Sequence, residues 1–179
     1  MKKALIIVDY QNDFVTGSLG FPGAAALEEP ICRKAEEYQK NGDDIIFTFD
    51  THETDYLSTE EGKNLPVEHC LRGSGGWELY GKLSEYRTSS APCFEKPTFP
   101  SLELGNYLRK QGYDLIEIVG IVSNICVLSN AVIAKAALPD AHIVVDASCT
   151  AGFDPVLHEK ALDVMAGLHI EVTNRVIRT

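Results

Sequence analysis

Six residues of this chain carry side chains that could do chemistry together: Asp9, Asp50, His52, His69, Lys96 and Cys126. Cys126 is the best nucleophile among the five cysteines. Ser123 and Asn124 supply capping side chains, and Val127, Leu128, Ala131, Val132 and Lys135 follow at helical spacing. That pattern predicts a thiol in the first turn of a helix, where free amides and the helix dipole favour thiolate and backbone N–H groups could hold an oxyanion. Lys96 would add a positive neighbour, and Asp9 could move a proton between thiol, leaving group and water. Asp50-Thr51-His52 forms a second cluster, since alternate residues leaving a strand share one side. His69 completes two histidines and a carboxylate, a set that suits Zn, Mn or Fe with positions left open. Each residue alone has a plain reading as a cap former, a surface charge or a small buried hydrophobe. What makes them a set is where the elements put them.

Short apolar, β-branched runs alternate with helical stretches along the whole chain. The strands predicted are Ala4–Val8, Asp44–Phe49, Pro92–Glu95, Leu115–Val119, His142–Val145 and His169–Thr173, and the helices Ala24–Asn41, Ser101–Gln111, Asn124–Leu138 and Pro155–Leu168. Gly42, Gly112 and Pro139 stand where stops are needed. Alternation of this kind specifies an α/β, doubly wound, three-layer sandwich: a mostly parallel six-stranded sheet with helices on both faces. Ligands of such sheets bind outside the carboxyl ends of the strands near a topological switch point. Asp9, Asp50, Lys96 and Cys126 each fall at or just past a different predicted strand end. Thr51–Arg87 reads as a long polar connection, and its glycines at 73, 75 and 76 lack the Gly-Lys-Ser/Thr that a phosphate cradle needs. Cys32 and Cys149 read as packing residues, and His142, His158 and His169 as ordinary half-buried or surface groups.

Composition narrows the function. The 179 residues suit one domain over 1–179, and 16 basic against 26 acidic residues leave a net charge of −10. Such a molecule repels nucleic acid and anionic lipid surfaces. No apolar run spans a bilayer, and the apolar start meets Asp9 too early for a signal peptide, so a cytoplasmic protein is expected. An odd cysteine count without short regular spacing argues against a disulfide framework.

The stretches Ala4 to Phe14 (ALIIVDYQNDF), Asp50-Thr51-His52, Pro66-Val67-Glu68-His69-Cys70, Glu95-Lys96 and Gly120 to Val127 (GIVSNICV) resemble the isochorismatase-like cysteine hydrolases, and within them the nicotinamidase/pyrazinamidase group. The resemblance runs over nearly the full chain. It implies an Asp9, Lys96, Cys126 triad acting on a small amide through a thioester, an oxyanion hole from the amides of Val122 and Cys126, and a cis Ile121–Val122 peptide. It implies a metal, zinc first, on Asp50, His52 and His69, with Glu61 as a further ligand and Glu60 close behind. It also implies a homo-oligomer, dimer or tetramer. Phe14 matches the aromatic residue that stacks on the substrate ring. Leu65 stands where many members have Trp or Phe, which leaves open a relative acting on another amide, carbamoyl or ureido compound. A metal-hydroxide hydrolase and a non-catalytic binding protein are the other readings.

Overall fold

The structure, a computed structural model, describes residues 1–175. Of the domain expected over 1–179, positions 176–179 lie outside the described residues. Six strands form one sheet: β1 (Lys3–Val8), β2 (Asp44–Asp50), β3 (Cys93–Lys96), β4 (Leu115–Ile121), β5 (His142–Ala151) and β6 (Glu171–Thr173). Their order is β3-β2-β1-β4-β5-β6 and every pairing is parallel. The expected mostly parallel sheet is therefore parallel throughout. The chain winds outward from β1 in one direction through β3, then in the other from β4 to β6. The switch point lies between β1 and β4, where Asp9 and the Cys126 turn leave the sheet.

The helices are α1 (Asn12–Val15), α2 (Glu28–Asn41), α3 (Glu60–Asn64), α4 (Leu102–Gln111), α5 (Leu128–Ala137) and α6 (Pro155–Gly167). Alternation along β1 assigns the two faces. Leu5 and Ile7 pack with Ile31, Ala35 and Tyr38 of α2. Ala4, Ile6 and Val8 pack with Leu104, Leu108, Ala131, Ala134, Leu162 and Met165 from α4, α5 and α6. Strands covered on both faces need continuous apolar sequence, which β1 and β4 have. Among the described residues, no helix is long and apolar enough to cross a membrane.

Several boundaries differ from the predicted ones. β4 and β5 run on to Ile121 and Ala151, past a register shift that follows Ile118. Residues Ala25–Leu27 form a tighter turn ahead of α2. His169 has φ 60° and lies before β6 instead of inside it. Gly120 explains how β4 reaches the switch point: its φ is 110°, and a Cβ there would lie 2.1 Å from the Val8 carbonyl oxygen. A side chain at 120 would push β1 and β4 apart where both deliver reactive groups.

Candidate active site

Asp9 follows the last residue of β1 with φ 45°, a turn that carries the chain away from the sheet. Its carboxylate accepts a hydrogen bond from Thr48 Oγ1 at 2.6 Å through Oδ1. Lys96, the last residue of β3, reaches across the end of β2 to place Nζ 2.6 Å from Asp9 Oδ2. The two charges are thus paired away from water. The same Nζ lies 3.4 Å from Asp50 Oδ1 and 3.7 Å from Cys126 Sγ, and donates to the Thr98 carbonyl at 3.1 Å. All four side chains are buried. Burial opposes the charge on Lys96, but Asp9, Cys126 and Asp50 outweigh it and hold the ammonium protonated. Three residues far apart in sequence thus meet around one ammonium.

Cys126 lies in the first turn of a helical run, as the sequence suggested, but that turn, Ser123–Val127, is wider than an α-helical one before it passes directly into α5. The Val122 carbonyl accepts from the amides of Ile125 at 3.0 Å and Val127 at 3.1 Å, which opens the turn to five-residue spacing. Asn130, one turn into α5, donates to the Cys126 carbonyl at 2.8 Å and to Phe99 O at 3.1 Å, and accepts from Ser101 N–H at 3.0 Å. Burial pushes the Cys126 thiol well above its usual range, with Lys96 pulling the other way and the charges of Asp9 and Asp50 adding to the rise. This direction runs against the thiolate that the first turn of a helix favours. Desolvation outweighs the single nearby cation because two carboxylates share that cation. Burial also raises Asp9 above the usual carboxylate range, against Lys96 and Thr48. The Ile121–Val122 peptide is cis, as the resemblance implies.

The second cluster also converges. Asp50, His52, Glu61 and His69 each turn one ligand atom to within 4.8 Å of the others. Asp50 ends β2, and its Oδ2 lies 3.0 Å from His52 Nε2 and 3.2 Å from His69 Nε2. His69 reaches it because its segment runs alongside that of His52: His52 N–H donates to Cys70 O at 3.0 Å and Arg72 N–H to His52 O at 2.9 Å. Glu61 comes from α3, inside the connection expected to lack regular elements. Thr59 caps α3 by accepting Gly62 N–H at 3.0 Å, and Glu61 Oε1 stands 3.7 Å from His52 Nε2 and 3.8 Å from His69 Nε2. Glu60 points outward to Lys63. Burial raises the Asp50 carboxyl, but Lys96 and the hydrogen bonds from His52 and His69 outweigh it, so Asp50 stays ionised well below the usual range.

The donor set fits a divalent metal. His69 Nδ1 lies 2.8 Å from the Val67 carbonyl, which can only accept, so Nδ1 carries a proton and Nε2 is the ring nitrogen turned toward Asp50 and Glu61, the one available to a metal. Glu61 Oε2 is buried and has no hydrogen-bond partner among the described residues. Two imidazoles and two carboxylates with ligand atoms this close form a donor set that could hold a divalent metal. Asp50 belongs to both clusters, with Oδ1 toward Lys96 and Oδ2 toward the histidines.

A cavity of about 370 Å³ opens onto both clusters. Asp50, Glu61, His69, Cys126 and Val122 line one side, and Phe14, Leu19, Leu65, Phe99, Ile125 and Phe153 the rest. Phe14 and Leu65, the residues expected to meet a substrate, both line this cavity, with the Phe14 ring 5.5 Å from that of His69. Phe99 and Phe153 were not anticipated. Each follows the carboxyl end of a strand, the rule that located the reactive residues, and Phe153 leans on Phe21 with ring centroids 4.7 Å apart. A larger cavity of about 690 Å³ lies beside β5 and α6. None of the reactive side chains lines it, so its size does not make it the site.

A family model described as Isochorismatase domain matches residues 3–177. The chain belongs to the isochorismatase family. It is 32% identical over 185 residues to an uncharacterized isochorismatase family protein PncA of Bacillus subtilis, covering 93% of this chain and 95% of that one. It is 32% identical over 146 residues to the nicotinamidase/pyrazinamidase of Mycobacterium tuberculosis, covering 72% and 76%. The crystal structure of nicotinamidase PncA from Bacillus subtilis superposes with a TM-score of 0.85 at 30% identity, covering 96% of this chain and 99% of that one. Like other family members of this kind, the protein is a hydrolase.

Proposed function

We propose that the protein hydrolyses the amide C–N bond of nicotinamide, and of similar heteroaromatic carboxamides such as pyrazinamide, to the acid and ammonia. The observation that carries this reading is the meeting of Asp9 and Lys96 with Cys126, which lines an apolar, aromatic-walled cavity together with Asp50, His69 and Glu61 of the second cluster. Relatives with nicotinamidase names support it. In the first half-reaction Cys126 Sγ bonds to the amide carbonyl carbon while Asp9 takes the thiol proton. Burial raises Asp9 above the usual carboxylate range, which makes it a stronger base toward the thiol than an exposed aspartate. The amides of Val122 and Cys126 stabilise the oxyanion. Asp9 then protonates the departing nitrogen, ammonia leaves and a thioester remains. In the second half-reaction Asp9 takes a proton from water, the hydroxyl adds to the thioester carbon, the acid leaves and the proton returns to sulfur. Lys96 holds Asp9 and the sulfur in register throughout. Asp50, His52, His69 and Glu61 would hold a divalent metal, zinc being the best match to the donors, which when bound offers a Lewis-acid contact to the substrate's ring nitrogen.

Leu65 favours a second reading, in which the substrate is another small amide, carbamoyl or ureido compound. An ammonia-release assay with nicotinamide, pyrazinamide and a ureido compound side by side separates the two. Nicotinamide turnover that Cys126→Ala abolishes while the protein stays folded is the expected result. Normal turnover by that variant would refute the thioester route, and turnover of the ureido compound alone would favour the second reading.

A further inference from the structure

Because Asp50, His52, His69 and Glu61 are read as metal donors, the residues that fix their backbone become as consequential as the donors themselves. We infer that Gln11 and Asp13 are positioning residues for this donor set, holding the metal-binding segments in place from the turn after β1. Pairing of β1 with β2 ends at Val8 and Thr48, and Asp9 then turns away, so no strand continues alongside Asp50 on that side. Gln11 fills the gap. Its Oε1 accepts the Asp50 N–H at 2.8 Å and its Nε2 donates to the Asp50 carbonyl at 2.9 Å, bracketing the donor residue as a neighbouring peptide would. Nε2 also donates to Trp77 O at 2.8 Å, and the Trp77 indole donates to Thr51 Oγ1 at 2.8 Å, between Asp50 and His52.

Asp13 holds the other segment. Its Oδ2 accepts the N–H of Cys70 at 2.8 Å, directly after His69, while the Cys70 carbonyl accepts the His52 N–H. Gln11 is completely buried, so these bonds form where no water competes for them. Neither residue is one of the four donors and neither lines the cavity. They act through Asp50 and His69. Outer groups of this kind typically govern metal affinity by about 10–100-fold.

The test measures zinc affinity on metal-free protein by competition with a chromophoric chelator, with urea stability on the same samples. Gln11→Met and Asp13→Ala should weaken zinc binding by about 10–100-fold. Asp13→Asn keeps an acceptor oxygen for the Cys70 amide and should stay close to wild type. Asn12 donates to Gly75 O at 2.7 Å, tying down the same loop away from the donors. Asn12→Ala should therefore lower stability and leave zinc affinity unchanged, a separation that a general structural role would not produce. If Gln11→Met does not fold, the contrast between Asp13→Ala and Asp13→Asn decides. Wild-type affinity in Gln11→Met and Asp13→Ala overturns the inference, as does an equal loss in Asn12→Ala. A wild-type protein that takes up no zinc overturns the metal reading first, and the inference with it.

Discussion

Asp9 is pulled in two directions: burial raises its pKa, while Lys96 and the Thr48 hydroxyl favour its charged form. If Asp9 is the proton acceptor, as proposed, it must be ionised in the free enzyme, so kcat/KM should fall as pH drops through an Asp9 pKa lying above the ordinary 3.8. Thr48→Val keeps the side-chain shape and removes a hydrogen bond to the carboxylate, which moves this acid limb to higher pH. On the alkaline side the Cys126 proton is held above the usual thiol range, so no loss is expected near pH 9, where an ordinary thiol ionises. An acid limb unmoved in Thr48→Val would mean that Asp9 is not the base. Leu65 governs a different quantity. It is partly exposed and lines the cavity together with Phe14, Phe99 and Phe153. Leu65→Phe should raise kcat/KM for nicotinamide relative to a ureido compound by about two- to tenfold, the equivalent of roughly 0.5–1.5 kcal/mol of added ring contact. No change in that ratio would place the substrate ring elsewhere.

The elements differ in how plainly the sequence announces them. β1, β2 and β4 are continuous Val/Ile-rich runs, and knowing where they end is enough to bring Asp9, Asp50 and the Cys126 turn to one edge. The Ser123–Val127 turn is hidden because apolar spacing runs unbroken into α5; only the amides of Ile125 and Val127 sharing the Val122 carbonyl show the widening. Phe99 and Phe153 are lone aromatics in loops and carry no periodic signal. Helix α3 is too short to show a period and depends on tertiary fit. Its decisive residue is Gly62, where a Cβ would come within 2.1 Å of the Tyr56 carbonyl oxygen. Gly62→Ala must therefore shift α3, and Glu61 shifts with it. A loss of about 1–3 kcal/mol in stability is expected together with weaker zinc binding, read by denaturant midpoint and metal competition. Unchanged values for both would show that α3 adapts without moving its donor.

At the scale of the whole molecule, the net charge of −10 treats substrate and product differently. A carboxamide arrives neutral, so the field neither draws it in nor resists it, and Lys96 supplies its positive charge only inside the buried site. The acid product is an anion at neutral pH and leaves a negative molecule, which favours release. Screening separates the two effects, because the Debye length falls from about 30 Å at 0.01 M salt to about 3 Å at 1 M. The KM for nicotinamide should stay within about twofold across that range, since Coulomb screening has no charge on the substrate to act on. Inhibition by the acid product should strengthen as salt rises, because the surface repulsion that opposes its return is removed. Steady-state kinetics with added product at several sodium chloride concentrations measures both. A substrate KM that shifts several-fold with salt would indicate a charged substrate and count against the carboxamide reading.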